Sequence, residues 1–487
     1  MAFTYRASTW LFLRILGVAY FIAFCSLAVQ VVGLIGHDGI LPAQEYVDGA
    51  RAFVASHQIG ADRFRLLPTL CWLSTSDAFM RSLCYGGATL ALMLVVGIAP
   101  IPALLLLWID YLSLSVVSRE FLSYQWDALL LEAGLLAVFL APPVLWDGRA
   151  ARFDPPPVAR WLALWLMVRL MVGSGAVKLA SGDPTWRQLT ALTFHYYTQP
   201  IPTPLAWYAS RLPAAFHQAS TAFVLAIELI APWCVFAPRR WRLAGFLLLA
   251  GLQALIALTG NYAFFNLLSV ALCLFLLDDA MWGLRANPAA GAETAEAAPR
   301  RPSPGARVRR VATLAFAVVT VPVSAAMFLG SLGVEFAPPP VAALADFISP
   351  LRSVNGYGLF AVMTTTRDEI VVEGSNDGVT WLEYEFLYKP GDVNRPPPWV
   401  APHQPRLDWQ MWFAALTTSE NAPWFRAFCI RLLEASPDVL RLLARNPFPD
   451  QPPRYVRATL YRYRFGRASW WTRERIGAYS PVIHLNS

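Results

Sequence analysis

The sequence predicts an all-α membrane bundle of about nine transmembrane helices, carrying a C-terminal extracytoplasmic α+β domain rich in β structure. Three observations lead there. The 487 residues are 56% hydrophobic and only 15% charged, where a soluble domain carries about 25% charged residues. Apolar runs near the 20 residues a bilayer requires recur as far as residue 331. From about residue 335 the pattern changes to strand-like alternation around Asn376-Asp377-Gly378, with proline-rich loops and short helices.

Taken in order, the first apolar segment covers residues 10–35 behind Arg6 and Arg14. It is too long for a signal-peptide core and has no small-x-small cleavage site, which predicts a retained signal anchor. A polar loop at 36–78 holds a short helix over Gln44 to Ala55. Spans follow at 79–97 and 101–118, then the polar island Arg119 to Asp127, and a segment ending near Ala141. Beyond the proline-rich connector 142–158 come a span at 159–179, a polar loop to about 214, and spans at 215–237, 242–258 and 262–278. The last two flank Gly260-Asn261-Tyr262, a tight turn that puts two carboxamides, Asn261 and Asn266, and a tyrosine at one membrane face. The second of those runs is apolar up to Asp278 and Asp279.

These segments set the domain boundaries: a polytopic core at 1–284, an Ala/Pro/Arg-rich flexible cytoplasmic linker at 285–308, a last span at 309–331, and the extracytoplasmic domain at 335–487. Placing Arg6 and Arg14 in the cytoplasm sends the arginines at 149, 152, 160, 239, 240, 242, 300, 301, 307, 309 and 310 to the same side. That is the positive-inside pattern. The net charge of +7 is thus a topology signal and not a nucleic-acid surface. In the last domain, two strands are expected around the Asp-Gly turn, helices at 408–417, 422–434 and 437–445, and a strand over Tyr455 to Phe465.

Candidate site residues gather at the face of the Gly260 turn. Lys178 is one of only two lysines, with Lys389, in an arginine-rich chain. It closes an apolar helix, either as a membrane-embedded base or as an interfacial cation that snorkels or pairs. Gln125, Asp127 and Glu132 start a helix at the same face, and Gln125 and Glu132, seven apart, share one side of it. Buried charges there need partners, for which Arg119, Glu120, Asp110 and Glu228 are available. A structural polar cluster is favoured over a substrate site. Asn261 and Asn266 are expected to cap helices and satisfy the turn, with Tyr262 between them. His195, in an aromatic loop, has no second histidine at metal spacing. Trp409, Trp412, Trp424, Trp470 and Trp471 suit a domain core or interfacial belt better than a client groove. The six cysteines form no C-x-x-C pair and read as small hydrophobes. Phosphate loops, H-E-x-x-H and G-x-S-x-G are absent. No metal and no cofactor is expected.

The longer strings resemble the lipase maturation factor family. They are Gly260-Asn-Tyr-Ala-Phe-Phe-Asn with the trailing Leu-Leu-Asp-Asp, Ser123-Tyr-Gln-Trp-Asp-Ala-Leu-Leu-Leu-Glu, and Lys178-Leu-Ala-Ser-Gly-Asp-Pro-Thr-Trp. Tyr357 to Arg367, Glu373-Gly-Ser-Asn-Asp-Gly and Pro405 to Phe413 complete the set, so the resemblance spans the chain. It adds Asp183, Trp186 and Asp408 to the candidates. It implies a multi-pass membrane protein that helps secreted lipases or other exported clients mature, with the client and the lipid bilayer as partners and no nucleic acid. The compartment would be the cytoplasmic membrane of a bacterium or the endoplasmic reticulum of a eukaryote. A shorter likeness, at the Lys178 segment, is to the membrane domain of the vitamin K-dependent γ-carboxylase group, in which such a lysine acts as a base. It keeps a membrane enzyme as the alternative, but the whole-chain resemblance favours a binding protein.

Overall fold

The structure, a computed structural model, describes residues 4–146, 153–284 and 304–485. Seven of its helices are long and apolar enough to cross a membrane: Arg6–Ala28, Asp77–Val96, Pro100–Val117, Pro157–Ala180, Ala214–Phe236, Arg239–Thr259 and Pro304–Ser331. Their ends follow local rules. Pro100 and Pro157 open helices where a missing N–H costs nothing. Ser76 caps the Asp77 helix by accepting from the Phe79 amide at 3.3 Å, and Gly97, at φ +91°, closes it in the left-handed region.

Two further apolar runs counted among the nine form shorter helices, Gln125–Leu140 and Phe265–Cys273, the latter prolonged by a 3₁₀ turn Leu274–Leu276. They are largely buried among the longer helices. A helix sheathed in protein has no need to match the bilayer's thickness. One packs against the first span so closely that a methyl on Gly134 would overlap the Tyr20 hydroxyl. The Pro304 helix is peripheral, tied to the Pro157 helix by Trp165 Nε1 donating to Ser324 Oγ at 2.9 Å. The predicted linker lies outside the described residues up to 303. Residues 304–308 already belong to that last helix.

The C-terminal domain has a four-stranded antiparallel sheet in the order β2-β1-β5-β6, from β1 (Arg367–Ser375), β2 (Leu382–Glu383), β5 (Tyr455–Phe465) and β6 (Trp471–Ile483). A small pair, β3 (Glu385–Phe386) and β4 (Leu443–Arg445), stands beside it. The Asp-Gly turn is present: Asp377 Oδ1 accepts from the Val379 and Thr380 amides at 2.8 and 2.7 Å, and Gly378 sits at φ +73°. The expected helices appear at Arg406–Ala414 and Pro423–Leu433. The third is a single turn, Pro437–Leu440, because the chain then extends into β4. One hydrophobic core runs from the bundle into this domain, joining Phe24, Tyr111 and Trp126 to Trp409, Phe428 and Ile370.

Candidate functional site

The polar residues singled out in the sequence lie under the C-terminal domain, in separate ion pairs and one cavity. Asp127, at the first turn of its helix, is gripped by Arg406: Nη1 and Nη2 reach its two oxygens at 2.5 and 2.8 Å, and the Tyr111 hydroxyl adds a bond of 2.5 Å. Glu132, one turn deeper, pairs with Arg169 of the Pro157 helix and accepts from the Tyr357 hydroxyl at 2.7 Å and the Asn355 amide at 2.9 Å. Gln125 accepts from the Gly358 amide at 3.2 Å. The partners are therefore Arg406 and Arg169, and not the nearby Arg119, Glu120 or Asp110. A lone arginine inside an apolar helix, as Arg169 is, was the available signal, since charge at that depth must be paired.

Lys178 donates to both oxygens of Glu228 at 2.6 Å, and its ammonium lies 5.1 Å from the Trp186 ring centre. Trp186 is fixed by donating to Phe360 O at 3.0 Å. Asp183 holds the loop between them, accepting from Thr185 N at 2.7 Å and Met363 N at 2.5 Å.

Asn261 and Asn266 correct the capping expectation. Asn261 accepts from the Val400 and Ala401 amides at 2.8 and 2.9 Å and donates to Pro398 O at 2.9 Å. It clamps a loop of the C-terminal domain rather than a helix end. Asn266 lies inside its helix and donates to Gln253 Oε1 at 2.8 Å. Docking is extended by Arg367, which caps the carbonyls of Tyr197, Gln199 and Pro200, and by Trp412 Nε1, which donates to Thr198 O at 2.8 Å. Asp408 is turned inward, accepting from the Tyr388 and Lys389 amides at 2.8 Å. Burial raises its pKa against the pull of those amides. Trp409 is core, edge-on to Trp126 at 4.7 Å. Trp412, Trp424 and Trp471 are likewise buried. Of the cysteines, Cys71, Cys84, Cys273 and Cys429 are buried as expected, whereas Cys25 is exposed and Cys234 half-buried.

Five candidates line one cavity of 310 Å³: Lys178, Trp186, His195, Tyr262 and Asn266. The rest of the lining combines apolar side chains, chiefly of the Pro157, Ala214 and Arg239 helices and the 359–363 segment, with the polar Ser174, Ser220, Glu228, Gln253, Thr259 and Ser269. Gln125, Asp127, Glu132 and Asn261 lie outside it. His195 sits edge-on to Phe360 at 4.8 Å, with Nε2 3.3 Å from the Tyr262 hydroxyl. Burial, and secondarily the charge of Lys178, lowers its pKa to about 4, so the ring is neutral at pH 7. Glu228, named from the sequence as an available partner, serves Lys178 and belongs to the same lining, as does Gln253, which the sequence reading did not single out. Among the described residues no cluster of metal-ligating side chains occurs.

A family model described as the lipase maturation factor transmembrane domain matches residues 7–284. Another, described as the lipase maturation factor C-terminal domain, matches residues 353–481. Similar relatives include lipase maturation factor 2 of Gallus gallus, 37% identical over 98% of this chain and 81% of the relative. The Homo sapiens protein of that name is 36% identical over 98% and 82%. Lipase maturation factor 1 of Bos taurus is 34% identical over 97% and 88%. No solved structure matches the chain.

Proposed function

Because the chain belongs to the lipase maturation factor family, and is thus a multi-pass membrane protein, we propose that it assists secreted lipases or other exported clients in reaching an active folded state. The observation that carries this reading is the way the polar face is used. Asp127, Glu132 and Lys178 are each committed to a buried partner, and Asp127 and Asn261 bind the C-terminal domain directly. Such a face supports a rigid platform for holding a partner, with its carboxylates and Lys178 tied up in ion pairs. The enzyme alternative asks Lys178 to give up a proton. That would strand Glu228 as an unpaired buried carboxylate, at a cost of several kcal/mol.

In this proposal all nine apolar segments cross the membrane, the 285–308 linker is cytoplasmic, and the C-terminal domain faces the export side. The membrane is the cytoplasmic one in a bacterium or that of the endoplasmic reticulum in a eukaryote. The test is crosslinking in living cells from a photoreactive residue at the exposed Val379 or Trp399. The expected product is an adduct with an exported lipase that has not yet acquired activity. Adducts absent, or formed equally with cytoplasmic proteins, overturn the proposal.

A further inference from the structure

Between the helix Ala43–Ser56 and the 63–72 segment lies a groove of 590 Å³ that shares no lining residue with the Lys178 cavity. Its floor is one face of that helix, with Tyr46, Gly49 and Phe53 at i, i+3 and i+7. Its wall carries Leu66, Leu67 and Trp72. Arg51 ties floor to wall by donating to Trp72 O at 3.2 Å, and Trp72 Nε1 donates to Leu67 O at 2.9 Å. The groove stands at one end of the membrane-length helix Pro100–Val117: Leu70 N donates to Ser113 Oγ at 3.0 Å, and Arg119, two residues past that helix, joins the lining. A span's end lies at the membrane surface, so acyl lipids are at hand. The apolar lining is not closed over, since Phe53 is 54% and Leu66 44% exposed.

The polar and charged residues of the lining are Glu45, Tyr46, Arg63, Arg119 and Trp72, whose N–H is already spent. Nearby, Asp48 is taken by Arg51 at 2.7 Å and Asp62 by Arg65 at 2.8 Å. That leaves the side chains of Arg63 and Arg119 with no carboxylate partner among the described residues. Each is held instead against an aromatic ring, Arg63 at 5.8 Å from the centre of Trp72 and Arg119 at 5.2 Å from that of Tyr46. Arg119 Nε is sealed off, but its terminal nitrogens keep accessible surface, and Arg63 is exposed. Glu45, exposed and likewise unpaired, offsets one of the two arginines. The lining thus holds one positive charge in excess. A ligand with a single negative charge brings it to neutrality, whereas a neutral lipid leaves that charge standing and a dianion overshoots it.

We propose that this groove binds a long-chain fatty acid, its carboxylate drawn to the accessible nitrogens of Arg119 and Arg63 and its chain laid over Gly49 against Phe53 and Leu66. The volume of 590 Å³ is that of a small-molecule site, suited to one chain with a compact head rather than to a diacyl lipid. This inference does not rest on the maturation role.

The experiment uses the full-length protein in phosphatidylcholine nanodiscs at pH 8, where the carboxyl group is ionised, with diazirine-tagged palmitic acid and adducts mapped by mass spectrometry. Saturable labelling within residues 43–72 is expected, competed by unlabelled palmitic acid but not by the alcohol of the same chain or by phosphatidylglycerol. A side chain begun at Gly49 meets nothing within 4 Å, so Gly49→Trp fills the groove without a clash at its root and should abolish labelling. Arg63→Gln combined with Arg119→Gln should weaken binding about tenfold. Glu45→Gln removes the groove's own negative charge and should strengthen binding about threefold. Should Gly49→Trp fail to fold, the competition series on the wild-type protein still decides. Non-saturable labelling, equal competition by the alcohol, or labelling untouched by a folded Gly49→Trp overturns the proposal. Stronger competition by phosphatidylglycerol overturns it in favour of a phospholipid headgroup. Displacement by an acidic amphipathic peptide in preference to palmitic acid overturns it in favour of a protein partner.

Discussion

Lys178 and Glu228 come from helices 50 residues apart, and each is the reason the other can be buried. Lys178→Met should therefore destabilise the protein by about 3–5 kcal/mol, because the carboxylate is left alone. The exchanged double variant, Lys178→Glu with Glu228→Lys, should recover most of that loss in thermal melts and support client activity. A folded but inactive exchanged protein would instead make Lys178 a base. His195 gives a second test, through pH. Its folded pKa of about 4 lies below the roughly 6.5 of an unfolded histidine. As pH falls through 6.5 the unfolded chain gains a proton that the folded protein refuses, so stability declines until about pH 4. The loss is on the order of 3 kcal/mol for this residue alone. Melting curves of His195→Phe should lack that component, so the gap between variant and wild type should shift between pH 7 and pH 4.5. A gap that stays constant contradicts the assignment.

At the scale of elements, the Gly260 turn is the joint between bundle and domain. Asn261→Leu strands the Val400 and Ala401 amides, each at roughly 1–3 kcal/mol. Limited proteolysis should then cut near 398–401, where the wild-type loop resists; unchanged resistance would show that the joint is held elsewhere. In the Asp-Gly turn, Gly378→Val forces a branched side chain to φ +73° and should cost about 1–2 kcal/mol, read as a lower melting temperature of the C-terminal domain. Both turns were legible in the sequence because glycine and its neighbours announce local geometry. The role of Asn261 was not, since its partners lie 137 to 140 residues away. Strand β6 escaped notice for another reason. It is an edge strand, mostly exposed, and its Thr472-Arg473-Glu474-Arg475 run has no buried face to impose alternation. The apolar runs were plain, but run length alone does not separate the shorter, protein-sheathed helices, Gln125–Leu140 and Phe265–Cys273, from the seven longer ones.

For the whole molecule, the proposed topology puts the arginine clusters on one side and the sheet on the other. Single cysteines at Ala295 and Asn394, in a background cleared of native cysteines, should react with an impermeant reagent from opposite sides of the membrane. Labelling of both from one side would remove a crossing and relocate the domain. In the proposed role the ion pairs, the shared core and the clamped loop form a platform that holds a client, so the role is tested on that client. The direct measurement is the specific activity, per milligram exported, of a lipase co-expressed with or without this chain in cells lacking other family members. A several-fold higher specific activity with the chain present, at similar amounts of exported protein, is the result expected. Equal specific activity in the two cultures would contradict the maturation role.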